Sequence, residues 1–103
     1  MKAIAVENPG KEYRLTLVDI PKPGPKAGEV LIKVSAAGLN HADMAQGEGR
    51  YPPPPGAPQT LGMEVSGEIA EIGSDVRDWR KGDQVCALIP GGGYAEYAIA
   101  HAK

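Results

Sequence analysis

Several side chains that could take part in chemistry stand close together in the middle of the sequence, and Tyr51 is the most distinctive of them. It lies between a glycine-containing run at residues 47–50 and a proline-rich loop at residues 52–58. A protonated phenol can donate a hydrogen bond or a proton to an oxygen atom that gains negative charge in a reaction, which lowers the barrier. We therefore predict that Tyr51 contacts a substrate at the rim of a cleft. The alternative is a surface tyrosine that rests on proline rings.

Polar residues ahead of Tyr51 offer further hydrogen-bonding groups. The amide of Asn40 has both donors and an acceptor, so it could bind a substrate oxygen, or it could cap a turn. The imidazole of His41 titrates near neutral pH, but no nucleophile or carboxylate stands at a spacing that defines a pair with it. A polar turn residue is the preferred interpretation of His41. Asp43 is interpreted as a cap or brace of the same short helical turn.

Two methionines and a glutamate complete the set of candidate site residues. Met44 and Met63 could line an apolar wall of the cleft, since thioethers fill irregular gaps, although core packing is the commoner role. Glu64 stands at the start of a predicted strand, where its carboxylate could act in the site or brace the backbone. His41 and Asp43 are two residues apart on a turn, which is a weak pattern for a metal site.

The composition is typical of a single domain without a nucleic-acid or membrane partner. The 103 residues support one domain, and a net charge of −2 leaves no basic face for phosphates. No apolar run approaches the ~20 residues that cross a bilayer, and a strand-like run follows Met1 directly, so we expect no secretory leader. Cys86 is the only cysteine, which excludes an internal disulfide. A reducing compartment, the cytoplasm, is the expected location, and Cys86 is interpreted as a small buried hydrophobic residue.

Short strand-like runs between turns predict a mainly β fold. The chain holds 14 glycines and 10 prolines, which oppose long helices. The predicted strands are residues 2–6, 13–20, 29–37, 63–72, 84–89 and 94–100. Gly67 indicates a bulge or a close backbone approach within the fourth strand. The glycines at residues 91–93 are interpreted as a hairpin turn, because they lack the spacing and the following helix of a dinucleotide-binding loop.

Two stretches of the sequence carry a resemblance to known families. Residues 36–73, AAGLNHADMAQGEGRYPPPPGAPQTLGMEVSGEIAEIG, resemble the active-site stretch of the medium-chain dehydrogenases/reductases. Residues 66–88, SGEIAEIGSDVRDWRKGDQVCAL, resemble the closing strands of the co-chaperonin GroES, whose barrel is shared with the N-terminal part of those enzymes. The resemblance implies a GroES-like, partly open β-barrel with one short helical turn. It also implies that residues 1–103 are an N-terminal catalytic-domain fragment, with the nucleotide-binding Rossmann domain absent from this chain.

The resemblance further implies a branch of the family and a role for the candidate residues. Zinc-dependent members have a cysteine where Asn40 stands and a histidine where Met63 stands. An amide and a thioether are poor zinc ligands, so the resemblance is to the zinc-independent quinone oxidoreductase, or zeta-crystallin-like, branch. It implies hydride transfer from NADPH to a quinone or a similar conjugated carbonyl, with Tyr51 and Asn40 as the catalytic residues. His41, Met44, Met63 and Glu64 would line the substrate and cofactor cleft.

The same resemblance implies the partners of the protein and leaves two alternatives open. NADPH would be bound mainly by the missing domain, no zinc would be needed, and the full-length protein would be a homodimer or homotetramer. The isolated fragment would have little or no activity, because half of the cleft would be absent. One alternative is an enoyl or alkenal reductase of the same family. The other is a stand-alone GroES-like binding or scaffold module.

Overall fold

Six β-strands form the regular secondary structure of the part of the chain that the structure describes. The structure is a computed structural model, and it describes residues 1–7, 14–38 and 60–102. The strands are β1 (Lys2–Glu7), β2 (Arg14–Asp19), β3 (Glu29–Ala37), β4 (Glu64–Ile72), β5 (Gln84–Leu88) and β6 (Tyr97–His101). The predicted mainly β fold is confirmed, and the strand bounds agree closely with the predicted runs. The helical turn predicted after Gly38 falls outside the described residues.

The strands form two antiparallel sheets that do not close into a complete barrel within the described ranges. One sheet pairs β1 with β2, and the other has the order β5-β4-β3-β6. A single bridge between Ala3 and Ala95, together with a hydrogen bond from the Ile4 nitrogen to the Tyr94 oxygen at 2.7 Å, connects the two sheets. This partly open arrangement agrees with the predicted GroES-like architecture. In the described parts of the chain, no helix has the length and apolar character that a membrane crossing requires.

The hydrophobic core follows from the position of β3 in the middle of the larger sheet. Val30, Leu31 and Ile32 are all buried, as expected for a strand that is covered on both faces near its centre. The main core cluster is entirely aliphatic and consists of Val30, Ile32, Val65, Ile69, Ile89, Ala98 and Ala100. The absence of phenylalanine from the sequence agrees with this composition.

Gly67 lies opposite a register shift, which confirms the predicted irregularity in β4. Val34 pairs with Gly67, but the next pair along β3 joins Ala36 to Ser66, so one residue of β3 is extra. A β-carbon on Gly67 would stand 2.1 Å from the carbonyl oxygen of Lys33. Only glycine allows the two strands to approach this closely.

The glycines at residues 91–93 do not form a hairpin turn, and that prediction was wrong. The strands on either side of them, β5 and β6, occupy opposite edges of the larger sheet and do not pair. The glycine segment instead runs along residues 60–62, where the nitrogens of Gly92 and Gly93 donate to the oxygens of Thr60 and Gly62 at 3.0 and 2.9 Å. Tyr94 and Ala95 likewise pair with Leu61 and Ala3, which lie outside the larger sheet, and β6 begins at Tyr97 rather than at the predicted Tyr94.

The prediction of a buried Cys86 was also wrong, because its thiol is exposed. β5 is the last strand of the sheet on its side, and only one of its faces packs on the core. Val85 and Ala87 are the residues of β5 that pack against the core cluster. Since side chains alternate along a strand, Cys86 points away from that core.

Candidate functional site

Three residues, Gly38, Glu64 and Tyr94, come together where β3 ends and β4 begins. Together with Met63, which precedes Glu64 in the chain, we call them the Gly38 cluster. The Gly38 nitrogen donates a hydrogen bond to the Glu64 carbonyl oxygen at 3.0 Å. The Tyr94 hydroxyl donates to the Gly38 carbonyl oxygen at 3.3 Å. Both backbone polar groups of Gly38 therefore have partners, and these partners come from two distant parts of the sequence.

The Glu64 carboxylate lies directly against Gly38. A β-carbon on Gly38 would stand 3.0 Å from the carboxyl carbon of Glu64 and 3.1 Å from one of its oxygens. The absence of a side chain on Gly38 thus leaves the space that the carboxylate uses. Glu64 is exposed, whereas Gly38 and Tyr94 are half-buried, so the carboxylate lies at the surface of the cluster. Glu64 and Tyr94 each make a further interaction within the molecule.

The backbone of Met63 is hydrogen-bonded to the segment that follows β5. The Met63 carbonyl oxygen accepts a hydrogen bond from the Ile89 nitrogen at 2.8 Å, just beyond the end of β5. The Met63 side chain is half-buried. Met63 precedes the exposed Glu64 in the chain, so its half-buried thioether adds apolar surface near the start of β4.

Tyr94 is held in place by its own backbone. Its nitrogen donates to the Leu61 oxygen at 3.0 Å, and its oxygen accepts from the Ile4 nitrogen at 2.7 Å. Gly62 makes this packing possible, because its φ is 110° and a β-carbon there would collide with the Tyr94 nitrogen. The sequence analysis did not identify Tyr94 as a site residue. An aromatic residue after three glycines was a visible signal, but the sequence does not show which segment the glycines approach.

The structure places only some of the predicted site residues. Met63 and Glu64 both belong to the Gly38 cluster; Glu64 begins β4, and Met63 lies one residue before the strand that was predicted to begin with it. Tyr51, Asn40, His41 and Met44 fall outside the described residues, and their predicted roles remain predictions. Gly38 is the last described residue before the segment that contains all four of them.

The described residues present neither a metal centre nor a site for a nucleotide pyrophosphate. Across residues 1–7, 14–38 and 60–102, no group of three His, Cys, Asp or Glu side chains comes together. The glycines at residues 91–93 lead into β6, whereas a pyrophosphate-binding loop leads into a helix that stabilises the phosphate charge. The described part of the chain therefore does not fit the phosphates of a dinucleotide.

A cavity of about 640 Å³ opens on the core side of the four-stranded sheet, away from the Gly38 cluster. Ile32, Ile69 and Ala100 of the hydrophobic core line it, and Trp79 is among its walls. None of the four residues of the Gly38 cluster contributes to it. Its walls are mostly apolar, so we interpret it as an opening into the core between the strands and place the candidate site at the Gly38 cluster instead.

The sequence is similar to that of known proteins along most of its length. The family described as the alcohol dehydrogenase GroES-like domain matches residues 26–103. Quinone oxidoreductase from Rattus norvegicus is 39% identical over 102 residues, which cover 97% of this chain and 31% of the relative. Acryloyl-coenzyme A reductase from Sulfurisphaera tokodaii is 42% identical over 89 residues, which cover 86% of this chain and 26% of the relative.

The fold is also similar to that of a protein of known structure. Quinone oxidoreductase from Escherichia coli, complexed with NADPH, superimposes with a TM-score of 0.84 at 30% identity, over 99% of this chain and 31% of that chain. The chain thus spans about a third of the length of the proteins it matches. Because the family match covers most of the chain and the fold agrees, the chain belongs to the alcohol dehydrogenase GroES-like domain family, on the quinone oxidoreductase branch of the medium-chain dehydrogenases/reductases.

Proposed function

We propose that residues 1–103 form the N-terminal, GroES-like part of the catalytic domain of an NADPH-dependent quinone oxidoreductase. The whole protein would transfer hydride from NADPH to a quinone or a similar conjugated carbonyl. The observation that carries the proposal is the similarity to quinone oxidoreductases along nearly the full chain, at 39% identity to the rat protein. The agreement in fold with the Escherichia coli enzyme supports it independently.

In this proposal the module supplies uncharged groups that bind the acceptor. The phenol of Tyr51 and the amide of Asn40 donate hydrogen bonds to the carbonyl oxygen that becomes negatively charged. The half-buried Met63 contributes an apolar surface beside them, and His41 and Met44 belong to the same cleft. The Glu64 carboxylate, which lies against Gly38, supports the backbone at the entrance to this segment.

The cofactor would be held mainly outside residues 1–103. NADPH is present in the structure of the Escherichia coli neighbour, but the described residues of this chain do not fit the pyrophosphate of a dinucleotide. We therefore assign most NADPH contacts to a separate nucleotide-binding domain of the whole protein. A polypeptide limited to residues 1–103 should be inactive, because the cofactor and the acceptor must be held together for the reaction to proceed.

The proposed reaction needs no zinc. Catalytic zinc requires three protein ligands with cysteine, histidine or carboxylate side chains. The amide of Asn40 and the thioether of Met63 stand where zinc-dependent relatives have ligands, and neither group binds zinc well. Uncharged hydrogen-bond donors would then have to stabilise the charge on the acceptor oxygen by themselves.

The test is an assay of NADPH oxidation by the whole protein with an ortho-quinone as acceptor. We expect turnover with the whole protein and none with a polypeptide of residues 1–103 under the same conditions. Replacing NADPH by NADH in a parallel assay determines the cofactor preference. No turnover with any quinone would contradict the proposed function, and robust turnover by the short polypeptide would contradict the assignment of the cofactor site.

A second candidate function is the reduction of an enoyl thioester. It is supported by the 42% identity to acryloyl-coenzyme A reductase over 89 residues. The two functions share the hydride donor and differ in the acceptor. A panel that contains quinones, acryloyl-coenzyme A and alkenals separates them, because the true acceptor class will show the highest kcat/KM.

The proposal includes an assembly state and a location. We propose a homodimer or homotetramer that is formed through the nucleotide-binding domain and resides in the cytoplasm. A single cysteine supports a reducing compartment. Light scattering of the whole protein and fractionation of the source cells test the two statements. A monomer, or a protein recovered in a membrane fraction, would contradict them.

A further inference from the structure

We propose that Tyr94 is a positioning residue, which restrains the carbonyl group of Gly38 just after the end of β3. This inference rests on the proposed function, because the segment that follows Gly38 contains Asn40 and Tyr51. No feature of the sequence assigns this role to Tyr94. It emerges from the hydrogen bond between the Tyr94 hydroxyl and the Gly38 oxygen at 3.3 Å.

Tyr94 is suited to this role because its own backbone is held on two sides. Its nitrogen donates to Leu61 and its oxygen accepts from Ile4, at 3.0 and 2.7 Å. The ring is also half-buried, so its orientation is restricted by packing. A hydroxyl group on such a side chain has a defined position, and a hydrogen bond from it can transmit that position to Gly38.

A hydrogen bond to the carbonyl group matters more at Gly38 than it would at a residue with a side chain, because glycine has the freer backbone. Its nitrogen makes the last described hydrogen bond between β3 and β4, to Glu64, so the sheet restrains the chain only up to this point. Glycine has the widest choice of backbone angles, and the peptide group that follows it could otherwise rotate. A hydrogen bond from a phenol to the carbonyl oxygen restrains this rotation immediately before the proposed acceptor-binding segment.

The Glu64 carboxylate restrains Gly38 from a different direction. Its carboxyl carbon would lie 3.0 Å from a β-carbon on Gly38, so the carboxylate packs beside the glycine. Glu64 and Tyr94 therefore both lie against Gly38, and they bond to its nitrogen and its oxygen respectively. Catalysis depends on the placement of reacting groups to within about 1 Å, and an error of that size can cost about 10²-fold in rate.

The experiment compares Tyr94→Phe with Tyr97→Phe in the whole protein. Both substitutions remove one hydroxyl group, and they lie three residues apart. The Tyr97 ring packs under the Lys22 ammonium at 4.2 Å, and among the described residues its hydroxyl makes no hydrogen bond. The first measurement is hydrogen exchange at the Gly38 amide by NMR. The second is the steady-state kinetics for the quinone and for NADPH separately.

We expect faster exchange at the Gly38 amide in Tyr94→Phe and wild-type exchange in Tyr97→Phe. We also expect kcat/KM for the quinone to fall about 5- to 10-fold in Tyr94→Phe only, as the loss of one hydrogen bond predicts, with the KM for NADPH unchanged. If Tyr94 had only a structural role, Tyr94→Phe would lower the melting temperature but would not lower kcat/KM for the quinone while leaving the KM for NADPH unchanged.

Two results would overturn the inference. One is a Gly38 amide that exchanges at the wild-type rate in Tyr94→Phe. The other is faster exchange at Gly38 with unchanged kcat/KM for the quinone, which would show that the anchored carbonyl has no bearing on the acceptor. If the wild-type protein fails to reduce quinones, the proposed function is wrong, and the exchange measurement alone then decides whether Tyr94 anchors Gly38.

Discussion

A β-carbon on Gly62 would stand 2.3 Å from the backbone nitrogen of Tyr94, so the two residues approach more closely than any side chain on Gly62 would permit. Gly62 also has a φ of 110°, a conformation that residues with side chains rarely adopt. The approach allows the Tyr94 nitrogen to reach the Leu61 oxygen at 3.0 Å. Tyr94 can then reach Gly38, so the Gly38 cluster depends on a glycine that makes no contribution of its own to the chemistry.

The first prediction concerns Gly62→Ala. We expect a loss of about 3–5 kcal/mol in the free energy of unfolding, because the substitution adds backbone strain and a collision with main-chain atoms that cannot move aside. Urea denaturation followed by circular dichroism measures the loss. The Gly38 cluster should also be disturbed, since the segment that contains Tyr94 would be pushed away from residues 60–62.

Two other glycines provide matched controls for this prediction. Gly82 has a φ of 93° and no atom within 4 Å of the position that a β-carbon would take, so Gly82→Ala should lose only the strain energy, about 1–2 kcal/mol. Gly24 has open space and no positive φ, so Gly24→Ala should change stability little. Equal losses for Gly62→Ala and Gly82→Ala would show that the close approach to Tyr94 does not matter.

The second prediction concerns Tyr51→Phe in the whole protein. Removing a hydrogen-bond donor to a developing oxyanion lowers kcat by about 10²-fold in comparable sites, and we expect a loss of that order in quinone reduction. The KM for NADPH should stay unchanged, because Tyr51 is proposed to contact only the acceptor. Tyr97→Phe serves as the control for loss of a hydroxyl elsewhere. Unimpaired reduction by Tyr51→Phe would remove Tyr51 from the mechanism.

The third prediction concerns metal removal. Treatment of the whole protein with a chelator, followed by gel filtration, should leave the rate of quinone reduction unchanged. The reason is that Asn40 and Met63 offer an amide and a thioether, which bind zinc poorly. Elemental analysis after saturation with zinc should find far less than one ion per chain. A stoichiometric ion that is needed for activity would contradict the prediction.

The fourth prediction concerns Cys86. Because its thiol is exposed on the edge strand β5, we expect Cys86 to react with a colorimetric disulfide reagent without denaturant. Cys86→Ala should lower the number of reactive thiols by one and leave the melting temperature nearly unchanged, since surface substitutions have small effects on stability. A thiol that reacts only after denaturation would show that another part of the protein covers β5.

The sequence by itself determined the strands, the aliphatic core and the family. Apolar residues alternate in β3, and glycines and prolines interrupt the strands. Both are local patterns, because the physical rules behind them act over a few residues. The bulge opposite Gly67 was also predictable, because a glycine inside a strand weakens it and often marks a bulge or a close backbone approach. The start of β4 was predicted to within one residue, at Met63 instead of Glu64, because the strand-like run is also a local pattern.

The tertiary structure decided which segments of the chain contact each other. The glycines at residues 91–93 look like a hairpin turn in the sequence, but β5 and β6 pair with different strands, and the choice of partner depends on the packing of the whole sheet. The exposure of Cys86 follows from the edge position of β5, which no local pattern reveals. Tyr94 and Gly38 are 56 residues apart in the chain, and only the folded backbone brings the phenol to the carbonyl oxygen. Local chemistry thus specifies the elements, whereas contacts between distant segments, which require the complete fold, create the site.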